Sequence, residues 1–201
     1  MSTIKSCFFT FVITNIVVSC LSACAATGQS QTEDVTIKKL KKTCVLYTIC
    51  RGDYKKIGGS VRELYFEAEK KGIRILSTPS YVYLNNPKDF PSEHRLTEIR
   101  LDVAPEAMKY SGKFGKMTDV KEVPGFMAAV AVKQQGVADP SPIYDALYRW
   151  IAEHGYIPAG APIEHHLIGS TNSIYAKIKS EIMIPLMKPE AAETNDKQSK
   201  D

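Results

Sequence analysis

The feature that most constrains this chain is an internal repeat. The sequence can be aligned with itself so that Glu98 falls on Glu181, and we call this displacement the repeat offset. The same offset, without a gap, brings together further identical residues: Lys38 and Lys121, Leu64 and Leu147, Tyr65 and Tyr148, Gly72 and Gly155, Pro79 and Pro162, Leu84 and Leu167, Ile99 and Ile182. Such a repeat predicts two copies of one supersecondary unit that share a core. The 201 residues suffice for one domain of this kind.

Both copies show the same order of predicted elements. Each begins with a strand, over residues 37–50 and 120–133, and continues with an amphipathic helix that ends at Gly72 or Gly155. Two further apolar segments then predict two strands in each copy. We therefore expect an α+β fold of two tandem β-α-β-β repeats, residues 35–103 and 118–186, related by a pseudo-two-fold axis. Antiparallel sheets would form a groove, with the helices on the outer face.

Alternation along the strands predicts which side chains point away from the helices. Ile99 and Ile182 are assigned to the helix side, so Glu98 and Glu181 point away from it. If Leu84 and Leu167 also mark the helix side, the other residues of their strands join the two glutamates. The predicted lining of a groove on this face is aromatic, sulfur-containing and acidic: Tyr81, Tyr83, Glu98, Glu164, His166, Glu181 and Met183, with Tyr54 from a neighbouring loop.

A groove of this composition favours a flat apolar molecule that carries positive charge, because aromatic rings and a desolvated carboxylate both attract cations. Glu98 has Arg100 beside it on the same face, whereas Glu181 has only Met183. We therefore predict Glu181 as the partner of the ligand. The alternative is that Glu181 caps a backbone amide or pairs with a surface lysine.

The N-terminal residues predict export and a lipid anchor. Lys5 precedes an apolar run that ends in Leu21-Ser22-Ala23-Cys24, which resembles the lipobox of bacterial lipoproteins. Residues 1–23 would be the signal peptide, Cys24 the lipidated residue and 24–34 a flexible tether; residues 188–201 would form a disordered tail. Ala25 favours the outer membrane, and the domain would face the periplasm. A plain signal peptide or an anchor helix is the alternative.

Charge and cysteine content argue against several other classes. The net charge of +4 comes without an Arg-rich helix, so we expect no binding to nucleic acid, and the short tether leaves no room for a helix-turn-helix. Cys44 and Cys50 lie in one predicted strand, about 20 Å apart at about 3.3 Å per residue, so they cannot form a disulfide. No cofactor and no metal site are expected.

Several motifs, in order, resemble one family. The segments are "RGDYKKIGGSVRELYFEAEKKGI", "LYRWIAEHGY", "GAPIE" and "SEIMIPL". Together they resemble the GyrI-like domain, the effector-binding domain of bacterial transcription activators, whose duplicated fold is shared by the SOUL proteins. The resemblance covers residues 35–187. It implies a central groove for small hydrophobic or cationic compounds, with the groove glutamate at Glu181 and a second carboxylate at Glu164. His166 replaces a frequent tyrosine, and "GVADPSP" replaces a Gly-Pro-Tyr loop.

The expected function is an envelope-anchored module that binds small amphipathic molecules. One alternative is a hydrolase of strained electrophiles that uses Glu181 with Tyr83 or His166, as some relatives do. A second is haem or tetrapyrrole binding of the SOUL type, with His94, His165 or His166 as candidate ligands. A third is a scaffold that binds a protein partner through the groove. The identity of any such partner does not follow from the sequence.

Overall fold

The structure is a computed structural model that describes residues 35–134, 137–167 and 179–189. The predicted signal peptide, Cys24, the tether and residues 190–201 of the predicted tail lie outside these residues. In the part of the chain that is described, no helix combines the length and the apolar character needed to cross a bilayer.

Two α-helices and a set of antiparallel strands make up the described domain. The helices are α1 (Ile57–Lys70) and α2 (Ser141–Glu153). The strands are β1 (Thr36–Leu40), β2 (Thr43–Arg51), β3 (Ser80–Tyr83), β4 (Leu96–Val103), β5 (Thr118–Val123), β6 (Phe126–Lys133), β7 (Ile157–Pro158), β8 (Ile163–Leu167) and β9 (Lys179–Met187). Short 3-10 turns cover Tyr54–Lys56, Ser92–His94 and Pro105–Tyr110.

Local chemistry fixes the ends of both helices. Gly72 and Gly155 follow α1 and α2 with φ of 64° and 68°, a left-handed conformation that glycine adopts without a steric penalty. Asp139 accepts a hydrogen bond from the Ser141 N–H at 2.9 Å at the start of α2, and Pro142 occupies the first turn. The helix ends predicted from the sequence are confirmed.

The strands form one curled antiparallel sheet in the order β1-β6-β9-β8-β3-β4-β2-β5, with β7 beside β9. The expected α+β fold of two β-α-β-β repeats is confirmed. The register is the same in both halves: Tyr81 lies opposite Ile99, and Glu164, which the repeat offset aligns with Tyr81, lies opposite Ile182.

The two repeats meet at the centre of the sheet through β3 and β8. Tyr81 pairs with Glu164, and Glu164 is also the residue that the repeat offset aligns with Tyr81. The neighbouring pairs, Ser80 with His165 and Val82 with Ile163, exchange with each other under the same offset. The pseudo-two-fold axis therefore passes between Tyr81 and Glu164.

The long first strand predicted for each repeat is in fact two strands. The breaks fall at Lys41–Lys42 and at Pro124–Gly125, which are equivalent positions of the repeat. The strand before each break pairs with the other repeat: β1 pairs with β6 of the second repeat, and β5 pairs with β2 of the first. The breaks also touch, since a Cβ atom added at Gly125 would lie 2.9 Å from the Leu40 carbonyl oxygen. The repeats are thus joined by exchanged edge strands.

Each helix covers its own half of one face of the sheet. Leu64 and Ala68 of α1 pack on residues of β2 and β4, among them Leu46, Ile99 and Leu101. The second core places Ile143, Leu147 and Ile151 of α2 against apolar residues of β6 and β9, namely Ala129, Ala131, Ile182, Ile184 and Leu186. Since β3 and β8 lie between these strands, the centre of this face is left between the helices.

Candidate functional site

The two central strands face the opposite way from the sequence prediction. Tyr81 and Tyr83 of β3 pack into the core under α1, so they lie on the helix side of the sheet. Glu164 is paired with Tyr81 and shares that face. Our assignment of these residues, with His166, to the side away from the helices was therefore wrong.

The error has a physical cause. We took Leu84 as a marker of the helix side, but Leu84 follows the end of β3 and is 43% exposed. The face away from the helices is also apolar, because Val82, Ile163 and Met183 bury themselves there in a third cluster. When both faces of a sheet bury apolar residues, alternation gives the relative direction of side chains but does not tell which face meets the helices.

The predicted groove lining therefore divides between two faces. Glu98, Glu181 and Met183 lie on the face away from the helices, as predicted. The remaining strand residues of the predicted set lie on the helix side: Tyr81, Tyr83, Glu164 and His166. No groove can be lined by both groups at once.

The two repeat-related glutamates hold the exchanged edge strands. Glu181 pairs with Lys38 of β1, and Glu98 pairs with Lys121 of β5 at 2.7 Å. Lys38 and Lys121 are themselves equivalent in the repeat, so each ion pair joins a lysine of one repeat to a glutamate of the other. Arg100 also contacts Glu98, as the sequence predicted. Glu181 thus pairs with a surface lysine, which is the alternative that the sequence left open, and the repeated Glu-Ile motif is explained by these matched ion pairs.

Glu98 and Glu181 should differ in their contribution to stability. The Glu98 side chain is 7% exposed; burial acts to raise the pKa of its carboxyl, but hydrogen bonds with Lys121 and Arg100 outweigh burial and lower that pKa. Glu98→Gln should therefore lower the free energy of unfolding by about 2 kcal/mol. Lys38, the partner of Glu181, is 47% exposed, so Glu181→Gln should cost about 1 kcal/mol or less. Urea unfolding measures both values, and equal losses would contradict the assignment.

A second set of polar residues converges on the pseudo-two-fold axis at the helix side. We call it the axial cluster: Tyr54, Tyr81, Tyr83, Lys133, Tyr144, Glu164 and His166. Glu164 is 6% exposed, which is unusual for a carboxylate. It accepts a hydrogen bond from the Tyr83 hydroxyl at 2.9 Å and forms an ion pair with Lys133 of β6. His166 Nε2 lies 3.7 Å from Glu164 Oε1.

Aromatic rings surround this carboxylate. The Tyr54 and Tyr83 rings meet edge to face with centres 5.6 Å apart, and the Tyr81 and His166 rings lie 4.9 Å apart. Burial raises the pKa of the Tyr144 hydroxyl of α2, and the nearby charge of Glu164 raises it further. Tyr65 of α1 and Tyr148 of α2, equivalent in the repeat, are 38% and 42% exposed and neighbour Tyr81 and Tyr144. We call the part of the helix-side face that lies over Tyr81 and Glu164, between α1 and α2, the axial groove.

The electrostatics of the axial cluster keep Glu164 charged. Burial by itself raises the pKa of this carboxyl, but His166, Lys133 and a hydrogen bond from Ser180 outweigh burial and lower the pKa to about 2. Burial and the neighbouring carboxylate both raise the pKa of Tyr83, so its hydroxyl stays protonated and donates. The arrangement is an ionised carboxylate, paired with Lys133, in an aromatic setting.

Sequence reasoning missed Lys133, Tyr144 and Ser180 as members or neighbours of this site. A signal was present in the repeat: under the repeat offset, Glu164 corresponds to Tyr81, Lys133 to Cys50 and Tyr144 to Val61. Core positions are apolar in both copies, and the pair of Lys38 and Glu181 recurs as Lys121 and Glu98, whereas the charged members of the axial cluster occur in one copy only. Disagreement between repeats on the helix face therefore marks the site.

The histidines do not converge on one point. His165 and His166 lie on opposite faces of β8; His165 Nε2 is 3.0 Å from the Thr78 hydroxyl, and His94 lies in a 3-10 turn. Over the described ranges, no three of the residues His, Cys, Asp and Glu are grouped as a metal site would require. Cys44 and Cys50 are free and buried, as expected.

Solved structures show the same fold at low sequence identity. The chain in an EcmrR–DNA complex is 16% identical with a TM-score of 0.65; the match covers 79% of this chain but only 59% of the EcmrR chain. The EcmrR C-terminal domain alone is 17% identical with a TM-score of 0.65, and the match covers 78% of this chain and 99% of that domain. An uncharacterized conserved protein from Listeria innocua is 12% identical with a TM-score of 0.56, and the match covers 77% of this chain and 93% of that one.

Among curated protein sequences, none matches the chain. A family model, described as the GyrI-like small molecule binding domain, matches residues 33–187. This range contains every described strand and helix and all three core clusters. The chain therefore belongs to the family of GyrI-like small molecule binding domains.

Proposed function

We propose that this domain binds small amphipathic molecules in the axial groove, with Glu164 as the polar anchor. One observation supports this most directly: a carboxylate that is almost fully buried lies among tyrosine rings from one strand, a turn and a helix, and its neighbours keep its pKa low. Burying a charge is costly, so a site that retains one in an aromatic setting is a candidate for recognition. Ring faces stack on flat apolar groups and attract cations.

This proposal moves the anchor from Glu181 to Glu164. Both carboxylates pair with a lysine, but Glu181 faces away from the helices and its lysine holds the exchanged strand β1, whereas Glu164 lies on the axis between the helices beside the tyrosine rings. The family description supports a small molecule as the ligand class. Glu181 as the ligand partner remains the competing prediction, and the two carboxylates can be tested side by side.

The hydrolase alternative, which combines Glu181 with Tyr83 or His166, has less support from the geometry because Glu181 lies on the opposite face of the sheet from the other two; Glu164 would have to take its place. Catalysis by a general base is most efficient when its pKa lies near the working pH. The pKa of Glu164, at about 2, makes it a weak proton acceptor at neutral pH, and the raised pKa of Tyr83 makes that hydroxyl a weak acid. Binding therefore accounts for the axial cluster better than hydrolysis does.

The proposal also places the domain in the cell envelope, through a lipid on Cys24. This part rests on the lipobox-like segment. Metabolic labelling of the full chain with a radioactive fatty acid tests it: Cys24→Ser should lose the label and the membrane association, and Cys20→Ser should keep both. A label that survives Cys24→Ser would contradict the anchor.

Ligand binding is tested with the chain that begins at Ala25, which retains every described residue. The probe is (2-naphthylmethyl)trimethylammonium, a flat apolar cation, and calorimetry measures its dissociation constant. We expect Glu164→Gln to weaken binding by about tenfold, equivalent to about 1.4 kcal/mol. Glu181→Gln should stay within about twofold of the parent chain, since its carboxylate is on the other face.

The result separates the two carboxylates. Loss of binding in Glu181→Gln but not in Glu164→Gln would overturn the axial groove and restore the prediction from sequence. Equal loss in both would indicate an effect on folding, which the melting temperature of each variant without ligand reveals. If neither substitution changes the dissociation constant, neither Glu164 nor Glu181 anchors the ligand, and that part of the proposal is wrong.

A further inference from the structure

We infer that Lys133 is a built-in competitor for cationic ligands of the axial cluster and thereby sets its charge specificity. Its ammonium occupies the place at Glu164 that the positive charge of a ligand would take. This inference rests on the proposed function, because it concerns the same site. It adds a residue that decides which ligands enter.

The position of Lys133 suits this role. It is the last residue of β6 and lies opposite Ser180 of β9, which in turn lies opposite His166 of β8. All three point to the helix side, beside Glu164. The Lys133 side chain is 21% exposed, against 8% for Glu164. A lysine stem at a strand end can carry its ammonium out to water, whereas the short side chain of Glu164 must stay in the cluster.

Charge balance gives the reason for competition. With Lys133 in place, Glu164 is neutralised, and an entering cation would place two positive groups beside one carboxylate. A neutral molecule of the same shape meets no such repulsion and still contacts the tyrosine rings. The cluster should therefore discriminate against cations unless the ammonium of Lys133 moves away.

The repeat supports treating Lys133 and Glu164 as one unit. At the equivalent positions of the first repeat stand Cys50 and Tyr81, so neither charge is present there. The lysine and the glutamate occur together in one copy and are both missing from the other. By contrast, the ion pairs of Glu98 and Glu181 occur in both copies, as structural contacts should.

Two probes of the same shape test the inference, in the chain that begins at Ala25. One is (2-naphthylmethyl)trimethylammonium and the other is 2-neopentylnaphthalene, its neutral carbon isostere. Lys133→Met should raise affinity for the cation by about tenfold while affinity for the isostere changes by less than about twofold. Lys133→Arg keeps the charge and should leave both affinities near those of the parent chain. Lys121→Met removes a lysine from the other face and should change neither.

Each outcome either supports or overturns the role of Lys133 as a competitor for cations. An unchanged affinity of Lys133→Met for the cation overturns the role of Lys133 and leaves the proposed function standing. An equal rise for both probes would indicate a gain of space and also overturns it. Failure of both probes to bind any variant removes the proposed function and the inference together. If Lys133→Met does not fold, Lys133→Gln gives the same neutral test with a polar side chain.

Discussion

Glu164→Gln should make the stability of this domain less sensitive to acid, by about 3 kcal/mol between about pH 6 and pH 2. The pKa of Glu164 is about 2 in the folded chain, against an ordinary value of 4.5. Because the folded pKa is depressed, the carboxylate contributes stability above pH 4.5, and that stability is lost as the pH falls toward 2. A shift of this size corresponds to about 3 kcal/mol, at about 1.36 kcal/mol per pH unit.

Urea unfolding at a series of pH values measures this effect. The parent chain should be more stable than Glu164→Gln at pH 6, and the two should converge as the pH approaches 2. Glu69→Gln, a substitution on the exposed side of α1, is the matched control and should stay within about 0.5 kcal/mol of the parent chain at each pH. A constant difference between the parent chain and Glu164→Gln would show that Glu164 is not held ionised by its neighbours.

Leu147→Ala should lower the free energy of unfolding by about 3 kcal/mol, within the range of roughly 2–5 kcal/mol typical of buried leucines. Leu147 is completely buried where α2 meets β6 and β9, so the lost methyl groups leave a cavity in the second core. Its counterpart in the repeat, Leu64, is 1% exposed in the core under α1. Leu64→Ala should therefore cost a similar amount.

The comparison of these two variants tests whether the repeats share one cooperative fold. Chemical unfolding should show a single transition in both variants, because the exchanged strands and the central β3–β8 pairing tie the cores together. Phe66→Ala, at a position that is 62% exposed, is the control and should have a small effect. Two separated transitions in either variant would contradict the joined architecture.

Much of this fold follows from the sequence. The repeat offset predicted two matching units, and the strand and helix patterns placed most of their elements. The helix-facing residues of β4 and β9, the Glu98–Arg100 contact and the free cysteines were also predicted correctly. These features depend on periodicity and on contacts between near neighbours, both of which are properties of a short segment.

Tertiary structure alone decided the rest. The breaks at Lys41–Lys42 and Pro124–Gly125 could have been turns within one repeat, but pairing across the repeats made them exchange points. The face presented by β3 and β8 was ambiguous because both faces of the sheet are apolar. Tyr83 and Glu164 come together only because β3 and β8 pair across the axis, and Lys133 reaches them because β9 lies between β6 and β8 in the sheet. The sequence thus determined the two units. Their packing against each other determined where the charged site lies, because the position of the site depends on contacts between residues far apart in the chain.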